Sequence, residues 1–251
     1  DPGEGRIEID RGQVRHVVAH AGLATFEQVT QRNPEGAALL SDADDDVEAA
    51  PAAKPRFKNN WPAVLATAAF LLCSVGAEVS VGGWLHTYVT ARGGSILQAD
   101  RVNTVFWASF TVARLGAAAA GMRYSVLTPR VILHATLPLL GAGAALMFSL
   151  KPRSPAALLW LAAALAGAGV STGYASGVSL LSSRVTLSGF ENGVINVGSA
   201  LGAACVPPIV SACVAGTALG YRSLPLLVLG LTGLCVVLVE IIVLLAPAAA
   251  A

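Results

Sequence analysis

The sequence is poor in charge. Only 12% of its 251 residues are charged, 55% are hydrophobic, and the mean hydropathy is +0.66. A soluble domain usually has about 25% charged residues, and a soluble core of this size cannot bury so much apolar side chain. The composition therefore excludes a soluble globular protein, and it equally excludes collagen-like, disulfide-scaffold and disordered classes.

The sequence also lacks the patterns of several membrane enzymes and pumps. It has neither a phosphate-binding loop nor a metal cluster, and its four cysteines have no C-x-x-C spacing. The YASG segment at 174–177 only partly resembles the Gly-x-Ser-Gly motif of rhomboid proteases, since position 174 is Tyr. That chemistry also needs a histidine base on a later helix, and the last histidine is His134. We expect no enzyme, cofactor, metal or nucleic-acid partner.

The charges that are present divide the chain in two. Residues 1–60 hold 11 of the 15 acidic residues and 7 of the 16 basic ones, whereas residues 61–251 hold 4 acids and 9 bases. We predict that 1–60 is a polar, largely disordered cytoplasmic loop. We predict that 61–251 is a transmembrane domain, so that the lipid bilayer is its first partner.

Six apolar runs follow Trp61, and each is long enough to cross a bilayer as a helix, which takes roughly 20 residues. They do not alternate as barrel strands do. Lipid requires every backbone polar group to be paired within its segment, which favours helices. The predicted fold is all-α, with six spans at about 61–90, 103–122, 130–150, 155–181, 191–215 and 223–247.

Glycines mark corresponding runs. The first run has Gly76 and the pair Gly82–Gly83, and the fourth has glycines four residues apart at 169, 173 and 177. We interpret this as two three-helix repeats, each led by a broken helix, as in inverted-repeat transporters. The alternative is that small residues simply allow neighbouring helices to approach closely.

Three stretches resemble the major facilitator superfamily, and within it the branch of sodium-dependent glucose transporters and fucose permeases. VGAEVSVGGWLHTY (75–88) is similar to the seventh helix of that family, and VFWASFTVARLG (105–116) to the eighth, with Ala113 in place of a glycine. GVINVGSALGAACVPP (193–208) is similar to the eleventh helix, with Ala203 where a polar residue is common.

This resemblance implies the C-terminal six-helix half of a twelve-helix transporter. The chain starts at Asp1 and ends in an apolar segment, so we expect a fragment whose partner is the missing N-terminal half or a second copy. The implied activity is transport of a small polar solute, such as a sugar, by alternating access with Na⁺ or H⁺ coupling. The expected location is the plasma membrane. The rival hypothesis is a six-helix interaction or regulatory protein without transport activity.

Glu78 is the only acid in the first run, and a buried charge in a bilayer usually faces a cavity, a cation or a partner. We predict that it is the ion-coupling residue, with structural pairing to a neighbouring helix as the alternative. Trp84 and Tyr88 follow it and are predicted to contact substrate, because aromatic faces suit the apolar face of a sugar ring. An interfacial anchor is the alternative role of Trp84.

Four further residues complete the predicted site. Trp107 is expected to contact substrate, and Arg114, two helical turns later, to lock a cytoplasmic gate by binding an acid or a helix end. Snorkelling at the interface is the alternative role of Arg114. Tyr174 and Asn196 are predicted to hydrogen-bond sugar hydroxyls. The alternative for Tyr174 is a hydrogen bond to its own helix backbone, and for Asn196 an interhelical contact. His134 and Glu240 receive no functional role.

Overall fold

The computed structural model describes residues 60–151 and 154–246. The predicted disorder of residues 1–60 therefore concerns a segment that, apart from residue 60, lies outside the described part of the chain.

The described chain is all-helical, with no strand in these two ranges. Six of its spans are long and apolar enough to cross a membrane, which confirms the predicted fold. The helices are α1 (Trp61–Ala91), α2 (Ile96–Arg123), α3 (Pro129–Ser149), α4 (Ala156–Val170), α5 (Gly173–Ser182), α6 (Gly189–Gly216) and α7 (Ser223–Leu245). Together, α4 and α5 form one interrupted span, and a short 3-10 turn (Gly220–Arg222) precedes α7.

Local capping chemistry sets the helix starts. Ser95 accepts a hydrogen bond from the Gln98 amide, so α2 begins seven residues before the predicted apolar run. Ser188 and Glu191 form a reciprocal capping box at the start of α6. A capped polar first turn can precede the membrane-spanning part of a helix, which hydropathy alone does not detect.

Contacts between helix ends establish two sides of the bundle. On the N-terminal side, the rings of Trp61 and Phe190, at the starts of the first and fifth spans, pack edge to face with their centres 5.9 Å apart. On the same side, Arg184 donates a hydrogen bond to the Ala246 carbonyl at 2.7 Å, which joins the ends of the fourth and sixth spans. On the opposite side, Arg92 donates to the Lys151 carbonyl. Odd-numbered and even-numbered spans therefore run in opposite directions.

The lead span of each predicted repeat packs mainly against the two other spans of the opposite repeat. The first span packs most extensively against the fifth (α6) and then the sixth (α7). The fourth span (α4) makes the equivalent pairs with the second (α2) and third (α3). The first and fourth spans are also the most deeply buried, so the glycine-rich helix of each repeat lies at the centre.

One prediction about these glycines is wrong. The first span has no break, because α1 is a continuous helix through Gly82 and Gly83. Its Gly76 instead faces Val206, and Gly198 and Gly202 of α6 lie against the backbone of Ala68 and Leu72. Only the fourth span is interrupted, at residues 171–172. Close packing, the alternative interpretation, accounts for Gly76 and Gly82 of α1, which lie against Val206 and Trp107, but not for Gly83.

Candidate functional site

Glu78 lies in the middle of α1, half-buried, far from either end of the span. Its carboxylate makes neither a hydrogen bond nor an ion pair with any other residue in the described ranges. The close acid–base pairs there join His86 to Asp100, and Arg130 and His134 to Glu240. A charged side chain at this depth costs about 3 kcal/mol unless something compensates it. An unpaired carboxylate in this position is therefore suited to receive a cation.

Arg114 is the cationic side chain whose charge acts on Glu78. Its Nε donates to the Ser171 carbonyl oxygen at 2.8 Å, and its guanidinium carbon lies 4.6 Å from the centre of the Phe110 ring. The guanidinium is thus held by a neutral carbonyl and an aromatic face rather than by a carboxylate. Arg114 lies nine residues before Arg123, the last residue of α2, and both its gating role and the alternative of snorkelling stay predictions.

The carbonyl that binds Arg114 belongs to the break in the fourth span. Ser171 directly follows Val170, the last residue of α4, and Thr172 directly precedes Gly173, the first residue of α5. The hydroxyl groups of Thr172 and Thr136 share a hydrogen bond at 2.9 Å, and Gly173 lies against Ser74 of α1. Interrupted helices are tolerated in membranes where neighbouring groups satisfy the freed backbone. Here α2 provides that partner through Arg114.

Trp107 lies two turns before Arg114 on α2, at the same interface. Its ring packs directly on Gly82, where an added Cβ would overlap it, and 40% of the residue remains exposed. Gly82 is one helical turn beyond Glu78, and Arg114 is two turns beyond Trp107 on the antiparallel helix. Glu78, Gly82, Trp107 and Arg114 therefore form one group, which we call the α1–α2 seam.

Tyr174 and Asn196 form a second polar contact. The Tyr174 hydroxyl donates to Asn196 Oδ1 at 2.5 Å, and Asn196 Nδ2 donates to the Asn192 carbonyl at 3.1 Å. Tyr174 is half-buried and Asn196 exposed. The bond joins α5 to α6, the fourth and fifth spans, and it uses only neutral groups.

Trp84 and Tyr88 lie apart from the α1–α2 seam. Tyr88 is 2% exposed, and its hydroxyl donates to the Met147 carbonyl and accepts from Arg92 at 3.2 Å. Trp84 lines a small apolar pocket with Tyr88, Tyr221 and neighbouring residues. These contacts join the first, third and sixth spans near the side opposite the N-terminal one, and the substrate contacts of both residues stay a prediction.

His134 and Glu240, which had no predicted role, bind each other. The Glu240 carboxylate of α7 lies 2.7 Å from a guanidinium nitrogen of Arg130 and 2.8 Å from His134 Nε2. Both of these residues lie in the first turns of α3. This cluster links the third and sixth spans and lies outside the α1–α2 seam. Sequence reasoning missed it because α3 and α7 are distant in the chain.

The Ser171 carbonyl is the functional group that residue patterns least revealed. A serine beside a glycine ladder indicates hydroxyl chemistry, yet it is the backbone oxygen of Ser171 that holds Arg114. The sequence also did not reveal that Trp107 packs on Gly82, because the Gly82–Gly83 pair suggested a helix break rather than a contact surface.

Comparison with known proteins gives relatives among sugar transporters. The chain is 26% identical over 142 residues to sodium-dependent glucose transporter 1A of Mus musculus, covering 56% of this chain and 32% of that protein. Sodium-dependent glucose transporter 1 of Rattus norvegicus is 29% identical over 136 residues, covering 54% of this chain and 27% of that protein. The chain is a distant homologue of these transporters.

The similarity has clear limits. The aligned region spans 26% to 32% of the length of the relatives, including the human protein at 26% identity. No family model matches the chain, and no solved structure matches it. The six spans and the transporter homologues together support a multi-pass membrane protein.

Proposed function

We propose that this chain belongs to a sugar transporter of the major facilitator type, driven by a Na⁺ gradient. Three observations support this. Its distant relatives are named sodium-dependent glucose transporters, its six spans pair as two three-helix repeats, and its lead spans are glycine-rich. The chain would form one half of the transporter and pair with a second six-helix half, in the plasma membrane.

The observation that carries the proposal is the half-buried Glu78 carboxylate, which has no ion-pair partner in the described ranges at mid-span. We assign Glu78 to Na⁺ binding. Hard oxygen ligands suit a small monovalent cation, and binding there would neutralise a charge that is costly in a bilayer. H⁺ is the alternative coupling ion, because a carboxylate can also carry a proton.

Trp107, Tyr174 and Asn196 are the proposed sugar contacts. The Trp107 ring is partly open beside Gly82, so its face is available to stack on a sugar ring. The Tyr174–Asn196 pair presents both a donor and an acceptor to sugar hydroxyls. Tyr88 fits packing better, since it is buried and its hydroxyl is already bonded to the Met147 carbonyl, whereas Trp84 remains a proposed sugar contact.

Arg114 is the proposed gating residue. Its bond to the Ser171 carbonyl joins the second span to the break in the fourth. In an alternating-access cycle this junction would hold the two spans together in one state and release them in another. The gate would thus respond to cation binding at Glu78, because the positive charge of Arg114 acts on that carboxylate.

Transport into proteoliposomes tests this proposal. The full-length protein containing this chain is reconstituted, and glucose uptake is measured with an inward Na⁺ gradient, an inward H⁺ gradient, or none. We expect Na⁺-driven accumulation in wild type and in the control Asp100→Asn, an exposed acid at the start of α2. Glu78→Gln should lose the accumulation, because the amide keeps the shape but not the exchangeable charge.

Other results have distinct meanings. Equal accumulation in wild type and Glu78→Gln would leave Glu78 with a structural role only. Accumulation driven by H⁺ but not Na⁺ would replace the coupling ion. Insertion and folding without any glucose uptake would favour the six-helix interaction or regulatory protein.

A further inference from the structure

We propose that Arg114 is a built-in competitor of the transported cation at Glu78, alternating between that carboxylate and the Ser171 carbonyl. The idea rests on the proposed function, since it presumes a cation at Glu78. It adds a positioning residue that reports cation occupancy to the break in the fourth span.

The first support is the division of the Arg114 hydrogen bonds. Nε binds the Ser171 carbonyl at 2.8 Å, whereas the two terminal nitrogens make no hydrogen bond with a residue in the described ranges. A guanidinium offers five N–H donors in a planar fork and binds carboxylates in pairs. The neutral carbonyl is thus a weaker partner for Arg114 than a carboxylate, and from this position the guanidinium makes no ion pair with Glu78.

The second support is the position of Glu78. Trp107 packs on Gly82, one turn beyond Glu78, and Arg114 holds Ser171, two residues before the Gly173 that lies against Ser74, one turn before Glu78. The Arg114 charge therefore acts on Glu78 from the neighbouring helix, yet the two side chains form no ion pair. One negative charge can be compensated either by the guanidinium or by a cation, and the two positive charges repel each other at short range. Cation binding at Glu78 thus favours Arg114 on Ser171, and cation release favours Arg114 on Glu78.

The third support is what Arg114 holds. Ser171 and Thr172 are 0% and 4% exposed, at the only break within the six spans. A buried carbonyl that loses its partner is costly, so the end of α4 must rearrange when Arg114 leaves. The movement of one side chain would therefore couple the cation site on α1 to the conformation of α4 and α5.

Na⁺-dependent thermal unfolding of the full-length protein in detergent tests the proposal. The Tm is recorded against NaCl concentration, with N-methylglucamine chloride keeping ionic strength constant. We expect the half-saturating Na⁺ concentration to fall roughly tenfold in Arg114→Gln, within the 5–150-fold range of coupled sites. The comparison variant Arg114→Lys keeps the positive charge but loses the planar fork, so its half-saturating concentration should lie between those of wild type and Arg114→Gln.

Hydrogen exchange provides a readout that needs no Arg114 variant. In wild type, Na⁺ should slow backbone amide exchange at residues 171–175, because Arg114 then remains on the Ser171 carbonyl. In Glu78→Gln, Na⁺ should leave that exchange unchanged. This measurement decides the question if Arg114→Gln does not fold, and identical exchange with and without Na⁺ in wild type would overturn the proposal.

The outcomes separate this proposal from the proposed function. A Na⁺ response in wild type with an unchanged half-saturating concentration in Arg114→Gln would overturn the competition and leave Na⁺ binding in place. A wild-type protein that does not respond to Na⁺ in either measurement would overturn both.

Discussion

The two three-helix repeats solve the same packing problem with different chemistry. In the first repeat the lead span is one continuous helix, and its contact with the second span carries opposite charges, Glu78 and Arg114. In the second repeat the lead span is interrupted, and its contact with the following span is the neutral Tyr174–Asn196 bond. The charged groups thus lie beside the lead span of the first repeat, and a neutral hydrogen bond lies beside that of the second.

The glycines of the two lead spans differ as well. Gly83 of α1 has open space where a Cβ would lie, whereas a Cβ on Gly169 of α4 would lie 2.6 Å from the Leu140 Cα. Both lead spans are rich in glycine, but the packing that requires glycine differs from one position to another. At Gly169 glycine is required because two backbones approach closely, and at Gly83 it is not.

Substitution of these two glycines should give the largest contrast. Gly169→Ala forces the backbones of α4 and α3 apart and should lower the free energy of unfolding by about 2 to 3 kcal/mol. Gly83→Ala should leave stability unchanged or raise it by up to about 1 kcal/mol, because alanine is the better helix former. Thermal unfolding of the two variants in detergent measures both effects, and equal shifts would remove the distinction between the lead spans.

The contact between the outer helices should have an intermediate effect. Glu240→Gln removes the carboxylate that binds Arg130 and His134, and so weakens the junction of the two repeats. The residues are 39% to 44% exposed, so we expect a loss of about 1 kcal/mol in the free energy of unfolding.

Asp100→Asn is the control for that experiment, since its 3.4 Å pair with His86 lies within one repeat and Asp100 is 61% exposed. It should unfold at the wild-type temperature. If Asp100→Asn destabilised the protein as much as Glu240→Gln, the α3–α7 cluster would have no special part in joining the repeats.

Loss of the neutral contact should have the smallest effect, and on a different quantity. Tyr174→Phe removes one hydroxyl, worth about 1 kcal/mol, and should raise the KM for glucose roughly fivefold at unchanged Na⁺ half-saturation. Tyr221→Phe, which removes a hydroxyl from the aromatic cluster with Tyr88, should leave both values unchanged. A changed Na⁺ dependence in Tyr174→Phe would contradict the division of roles between the repeats.

Much of this fold follows from sequence, because bilayer thickness and backbone pairing leave few alternatives to six helices. The predicted spans differ from the observed ones chiefly where capping residues such as Ser95 and Ser188 lengthen a helix with a polar first turn. Glycine spacing indicated where helices approach closely, but not which helix breaks. The break depends on tertiary partners, here Arg114 and Thr136, that a one-dimensional pattern does not reveal.

The site was only partly predictable for the same reason. Glu78 and Arg114 were recognisable individually, since charged residues are rare within apolar runs. That they share an interface depends on the antiparallel packing of α1 and α2, with Trp107 seated on Gly82. Trp84 and Trp107 both lie within apolar runs, yet they have different neighbours: Trp84 lies beside Tyr88 and Tyr221, and Trp107 packs on Gly82.

Equilibrium binding of radioactive Na⁺ to the purified full-length protein tests the central claim most directly, because it needs neither a substrate nor a gradient. Wild type and the control Asp100→Asn should bind Na⁺ saturably, with the same affinity, and Glu78→Gln should show no saturable binding. Saturable binding of equal affinity in all three proteins would contradict the assignment of the cation site to Glu78 in the first repeat.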